Sequence, residues 1–179
     1  MKKICVYCGS SDGARPEYAK AAEALGCAML EKNIDLVYGG ASVGLMGTVA
    51  DTVLNGGGKV TGIIPKHLVN REISHQGLTE LVVVDSMHER KSMMADLSDG
   101  FIALPGGIGT MEELFEVMTW SQLGFHKKPY GLLNVVGYYD HLNAFMQYGV
   151  NQGFIRSATH GKLIIKEDPG DLLDLFVAG

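Results

Sequence analysis

The chain has no excess of positive charge: 15 Lys and Arg stand against 20 Asp and Glu, a net charge of −5 over 179 residues. That balance argues against nonspecific binding to nucleic acid or to an anionic membrane, both of which need a basic surface. Cysteine is scarce. Cys5, Cys8 and Cys27 are odd in number, and no second pair exists to complete a zinc site with Cys5-x-x-Cys8. A redox C-x-x-C belongs at the start of a helix, whereas Cys5 lies in an apolar run, so small buried thiols are expected. The six histidines are scattered without an H-x-x-x-H pair, which leaves metal catalysis unsupported and no metal expected. Long hydrophobic runs are missing too. The apolar stretch at the N-terminus breaks at Gly9-Ser10-Ser11, too short for a signal segment or a membrane span, and the expectation is a cytoplasmic protein without a membrane partner. Repeats, linkers and low-complexity tracts are also absent.

What is present is an ordinary globular composition, 46% hydrophobic and 20% charged, on a length that suits one domain over residues 1–179. Apolar runs at Ile4–Tyr7, Leu36–Tyr38, Val60–Ile64, Leu81–Val84, Phe101–Leu104 and Leu132–Val136 alternate with helical patterns, and a shorter run follows at Leu163–Ile165. Such alternation predicts βαβ units: an α/β fold, a Rossmann-like open parallel sheet with helices on both faces. Pro16 suits a first helical position, with Tyr18, Ala21, Ala22, Leu25 and Met29 as the apolar stripe and an end near Asn33. A second helix over Leu45–Leu54 closes at Gly56-Gly57-Gly58. Residues 65–80 read as a loop or short helix. Ser86-Met87-His88-Glu89 matches a capping box that opens a helix toward Leu97, and Asp168-Pro169 opens the last one.

In an open parallel sheet, ligands bind beyond the carboxyl ends of the strands. Three glycine-bearing loops have that position: Cys8–Ser11, Gly39–Gly47 and Pro105–Thr110. None has the G-x-G-x-x-G spacing of dinucleotide sites, and none is followed by Lys-Ser or Lys-Thr as in a P-loop. Ordinary NAD binding and nucleoside triphosphate hydrolysis therefore lose weight. The third loop is the most informative, because a buried-type strand runs through Pro105-Gly106-Gly107-Ile108-Gly109 straight into a helix. Its backbone can approach a ligand closely, and the helix end offers free N–H groups and a positive dipole. An anion is the fitting ligand, and phosphate above all.

Thr110-Met111-Glu112-Glu113 reads two ways. It spells a second capping box, in which Thr110 caps the helix and Glu113 folds back onto the Thr110 N–H. Alternatively Glu113, one turn from the phosphate cradle and beside a positive helix end, is an ionised carboxylate that stabilises positive charge or orients a water. Glu113, Glu116 and Trp120 share a helix face opposite a core stripe of Met111, Leu114, Phe115 and Met118. That face is either solvated or a subunit interface. Arg90 and Lys91 set two cations against the first turn of their own helix, and a compensating anion would explain them; two solvated surface cations remain the alternative.

Together these segments resemble one family. Pro105-Gly106-Gly107-Ile108-Gly109-Thr110-Met111-Glu112-Glu113 is similar to the P-G-G-x-G-T-x-x-E signature of the LOG ("lonely guy") family, phosphoribohydrolases formerly labelled lysine decarboxylases. Cys8-Gly9-Ser10-Ser11, Tyr38-Gly39-Gly40 with Gly44-Leu45-Met46-Gly47, Met87 to Lys91, and Thr119 to Gly124 with Lys128-Pro129 resemble family segments in the same order. The resemblance implies a homodimer, with the active site near the interface, that cleaves the N-glycosidic bond of a purine nucleoside 5′-monophosphate to free base and ribose 5-phosphate. Its usual substrates are AMP and N6-prenylated adenine nucleotides. It also implies Arg90 and Glu113 as the catalytic pair, with Glu72, Lys91, Gly107, Ile108, Gly109, Thr110, Met111, Glu112 and Thr119 lining the nucleotide site. No metal or organic cofactor is implied. A noncatalytic nucleotide- or cofactor-binding protein of the same fold could dispense with Glu113 and Arg90. A pyridoxal-phosphate decarboxylase would need a Schiff-base lysine and a larger architecture.

Overall fold

Apolar runs with no polar alternation form the centre of one sheet, because each of those strands is covered on both faces. The structure, a computed structural model, describes residues 1–69 and 74–178. In chain order it comprises β1 (Lys3–Tyr7), α1 (Pro16–Glu31), β2 (Asp35–Tyr38), α2 (Gly44–Asn55), β3 (Val60–Pro65), α3 (Lys66–Val69), β4 (Glu80–Val84), α4 (Met87–Asp96), β5 (Gly100–Ala103) and α5 (Ile108–Leu123). There follow β6 (Tyr130–Leu133), a 3-10 turn at Val135–Gly137, α6 (Asp140–Asn151), α7 (Ser157–His160), β7 (Leu163–Lys166) and α8 (Pro169–Ala178).

Among the described residues, seven strands pair in the order β4-β3-β2-β1-β5-β6-β7, every pair parallel. The chain winds outward from β1 to β4, returns to the centre for β5 and winds to the other edge. Strand order thus reverses between β1 and β5, where Cys5 pairs with Phe101 and Tyr7 with Ala103.

The period-2 alternation of β1 divides the core. Ile4 and Val6 face one layer with Leu25 and Met29 of α1, Val49 of α2 and Phe176 of α8. Cys5 and Tyr7 face the other, with Met94 of α4, Leu114 and Met118 of α5 and Met146 of α6. Each fully buried aliphatic side chain of this kind contributes about 1.5–3 kcal/mol. The expected α/β architecture is therefore the observed one. Helix signals hold as well: Pro16 opens α1, the Ser86 hydroxyl accepts from the Glu89 N–H at 3.1 Å, and Asp168 Oδ1 accepts from the Asp171 N–H at 3.0 Å.

Three local expectations change. The run expected at Leu132–Val136 pairs as Tyr130–Leu133, because register against β5 begins at Phe101 and Tyr130, and Val136 has a left-handed backbone (φ 45°). Cys27 is exposed, unlike Cys5 and Cys8: it falls between the buried positions Gly26 and Ala28 but on the outer arc of α1, next to exposed Glu23 and Ala24. On α5 the buried face is Thr110, Leu114, Val117, Met118 and Ser121, so Val117 takes the place expected for Phe115, which is exposed.

Candidate active site

The reversal of strand order leaves a crevice between the loops that follow β1 and β5, and the loop after β2 closes its third side. Together they enclose a cleft of about 360 Å³. The loops are tied to each other by main chain: the Gly9 N–H donates to the Pro105 carbonyl at 3.0 Å. The β2 loop packs so closely on the β1 loop that a Cβ on residue 44 (φ 57°) would overlap the backbone of Ser11. Only glycine meets both demands.

At the floor of this cleft, α5 begins at Ile108 with Gly107 as its N-cap and no side chain capping it. Thr110 is the third helical residue, not the cap. It is 4% exposed and wedged under Gly106, where a Cβ would overlap its hydroxyl. The capping-box reading of Thr110 and Glu113 is thereby overturned. The first intrahelical bond runs from the Met111 N–H to the Gly107 carbonyl at 3.2 Å, so the N–H groups of Ile108, Gly109 and Thr110 have no acceptor within the helix. An anion is what such an end accepts.

Arg90 enters from α4. Its Nε donates to the Ile63 carbonyl at 3.1 Å, its Nη2 to the Gly39 carbonyl at 3.0 Å, and Nη1 lies 3.8 Å from Met87 Sδ. The residue is 8% exposed, and among the described residues it has no carboxylate ion pair. Two carbonyls hold the guanidinium in place without neutralising it. Gly39 makes the slot, since a Cβ there would overlap Nη2 and sit 2.6 Å from Met46 Cε.

Glu113, which also lines the cleft, was expected to be ionised at neutral pH. Instead burial pushes its carboxyl up from 4.5 to about 7, Glu112 and Glu116 adding to the rise while Arg90 and Lys91 oppose it. As the sixth residue of α5 it stands beyond the first turn, where the helix dipole fades, so desolvation dominates. At neutral pH such a group both holds and releases a proton.

Lys91 plays another part. Its Nζ donates to Glu112 Oε1 at 2.5 Å and Glu116 Oε1 at 3.0 Å, clamping α4 to α5. The anion that compensates this cation belongs to the protein. Of the residues expected at the site, Arg90, Gly107, Ile108, Gly109, Thr110, Glu112 and Glu113 line one cleft; Lys91 does not line it but pairs with Glu112, which does, and Met111 packs against the core. Thr119 lies elsewhere, in a groove of about 150 Å³ with Phe115 and Phe154. Glu72 falls outside the described residues. Sequence reasoning missed Met46, Met87 and Met94, which give the Arg90 end of the cleft a polarisable apolar wall. The spacing of Met87 and Arg90, three apart on one helix, was the available signal. No group of three His, Cys, Asp or Glu side chains is placed to hold a metal among the described residues. Nor is any described helix long and apolar enough to cross a membrane.

The cleft thus combines an uncapped helix end, a fixed cation and a carboxyl poised near neutrality. Residues 46–176 match the family model described as "possible lysine decarboxylase". A rice relative (Oryza sativa subsp. japonica) named probable cytokinin riboside 5′-monophosphate phosphoribohydrolase LOGL2 is 51% identical over 174 residues, 97% of this chain and 71% of its own. The Arabidopsis thaliana cytokinin riboside 5′-monophosphate phosphoribohydrolase LOG7 is 56% identical over 155 residues, 87% of this chain and 71% of its own. Among solved structures, the molybdenum cofactor carrier protein of Chlamydomonas reinhardtii superposes with a TM-score of 0.75 at 18% identity, covering 99% of both chains. The molybdenum cofactor binding protein of Rippkaea orientalis gives 0.73 at 21% identity over 99% of this chain and 97% of its own. At those identities the likeness is one of fold alone. Identity above one half along most of the chain says more, and the chain belongs to the LOG family, that of the cytokinin riboside 5′-monophosphate phosphoribohydrolases.

Proposed function

We propose that this protein hydrolyses the N-glycosidic bond of purine nucleoside 5′-monophosphates, AMP and N6-prenylated adenine nucleotides among them, to free base and ribose 5-phosphate. The observation that carries the proposal is the meeting of Arg90, Glu113 and the uncapped Gly107–Thr110 helix end in one cleft. The phosphate sits on the loop amides, and its binding energy orients the ribose. The purine lies toward Arg90 and the methionine wall.

As the C1′–N9 bond breaks, its electron pair goes to the purine and positive charge grows on the ribose. The Glu113 carboxylate stabilises that charge and takes a proton from the water attacking C1′, by analogy with glycosidases. Arg90 donates hydrogen bonds to the departing base; its very high pKa makes it a stabiliser of negative charge, not a proton donor. The proton that finally neutralises the base comes from the water by way of Glu113. In this scheme Arg90 and Glu113 are the catalytic pair.

The proposal includes a homodimer with its active sites near the interface. Thr119 lies away from the cleft of its own chain, and Phe154, 91% exposed, flanks it with nothing among the described residues to cover it. A cytoplasmic setting is also part of the proposal and accords with three free thiols. Purified protein incubated with AMP and with isopentenyladenosine 5′-monophosphate, followed by chromatography, should release free base and ribose 5-phosphate. Binding of both nucleotides with no base released from either would replace this reading with that of a noncatalytic binding protein.

A further inference from the structure

Three consecutive carbonyls of the β5 loop are each held by a different donor. The Tyr139 hydroxyl donates to the Leu104 carbonyl at 2.5 Å, the Gly9 N–H to Pro105 at 3.0 Å, and the Tyr138 hydroxyl to Gly106 at 2.6 Å. The two tyrosines reach this loop from the turn after β6. That turn is costly to form: Val136 (φ 45°, ψ 39°) and Gly137 (φ 74°) are successive left-handed residues, a conformation a β-branched side chain keeps only where its surroundings impose it. Asn134 imposes it from both sides. Its Oδ1 accepts from the Tyr139 N–H and its Nδ2 donates to Asp140 Oδ1, each at 2.7 Å.

The planar trans peptide links these bonds to the cleft, because a carbonyl and the following N–H point in opposite directions. Gly107 lines both the main cleft and a separate cavity of about 230 Å³, whereas Tyr138 lines only the second. Drawing the Gly106 carbonyl toward Tyr138 therefore turns the Gly107 N–H toward the cleft. We infer that Tyr138 is a positioning residue for the anion-binding loop, its hydroxyl fixing the direction of the Gly107 amide. The inference rests on the reading of this loop as the phosphate site.

Tyr138 and Tyr139 are separable by exposure. Tyr139 is buried, so its loss strands the Leu104 carbonyl away from water and threatens the fold. Tyr138 is 42% exposed, and its ring stays held by edge contacts with Tyr18 (5.7 Å between centroids) and Tyr139 (5.0 Å). Tyr138→Phe thus removes the hydroxyl and little else.

The test compares wild type with Tyr138→Phe by calorimetric titration with ribose 5-phosphate, inorganic phosphate and adenine, alongside kcat and KM for AMP. The variant should bind both phosphate ligands about five- to tenfold more weakly and show a matching rise in KM, as expected for one misdirected amide at a charged ligand. Adenine affinity should be unchanged and kcat should stay within about twofold, the mark of binding lost equally in ground and transition states. Phosphate affinity equal to wild type, or equal weakening toward adenine, would overturn the inference, whatever happens to the melting temperature. Wild-type protein that binds none of the phosphate ligands would overturn the nucleotide reading itself and this inference with it.

Discussion

Glu113→Gln should remove activity and at the same time stabilise the folded chain at neutral and alkaline pH. In the unfolded chain Glu113 is an ordinary carboxyl near 4.5; in the fold, burial beside Glu112 and Glu116 holds it at about 7 despite the opposing pull of Arg90 and Lys91. As pH rises between these values the unfolded state loses its proton first, so stability falls through that window and the cost is complete above about 7. A displacement of that size corresponds to about 3 kcal/mol against the ionised form. The attraction of the two cations is already contained in it. Substitution by a neutral isostere abolishes this cost. The stability difference between variant and wild type, measured by urea unfolding at about pH 5 and about pH 8.5, should therefore grow by about 2.5 kcal/mol in favour of the variant, the rest of the cost being present already at about pH 5, where the unfolded carboxyl is mostly ionised. In a thermal scan near pH 8.5 the full cost of about 3 kcal/mol appears as a melting temperature higher by roughly 6–12 °C for a chain of this length. Other titrating groups are common to both proteins and cancel. Base release from AMP should fall at least about a hundredfold, the usual scale for losing a positioned acid–base group. A stability offset that does not change with pH would refute the claim that Glu113 is held near neutrality by burial.

Three further outcomes are expected. In wild type, kcat/KM for AMP should climb with pH to a plateau above about 7 as Glu113 ionises; Lys91→Met removes a charge that favours the carboxylate and unmasks Glu112 and Glu116, so the rise should move to higher pH, and a move to lower pH would contradict the assignment. Gly39→Ala should lower kcat/KM about ten- to a hundredfold by driving the Arg90 guanidinium off the Gly39 and Ile63 carbonyls; a variant of full activity would show that this seat is not needed. Native alkylation followed by mass spectrometry should label Cys27 and spare Cys5 and Cys8, whose thiols are buried and pushed up by desolvation; labelling of Cys8 at the rate of Cys27 would refute the described burial.

Much of the fold was legible because it is written in local patterns. The continuous apolar runs of β1, β2, β3 and β5 mark strands covered on both faces, and Pro16, Ser86 and Asp168 mark helix starts by chemistry that acts within four residues. Where a feature depended on more distant partners, the local pattern misled. Thr110-x-x-Glu113 carries the same signature as Ser86-x-x-Glu89, yet only at the second does the side chain cap its helix: Ser86 Oγ accepts from the Glu89 N–H, while the Glu89 carboxylate accepts from the Asp85 N–H. At Gly107 the chain enters the helix three residues earlier than the signature indicates, since strand β5 ends at Ala103 and the loop is tied to β1 through Gly9. Phe115 had the right spacing for the core but is exposed beside the Thr119 groove, and Val117 stands on the buried face instead.

By itself the sequence determined the parallel α/β fold, the glycine loop at a strand-to-helix junction and the residue types able to anchor an anion, because periodicity and backbone permissiveness are properties of neighbours along the chain. Tertiary structure alone decided which cation faces the cleft and which is spent within the protein: adjacent on α4, Arg90 goes to carbonyls of β3 and of the loop after β2, and Lys91 to two carboxylates of α5. It also decided the charge of Glu113. A carboxyl's affinity for its proton follows the water it loses and the charges packed around it, and both are set by segments far apart in sequence.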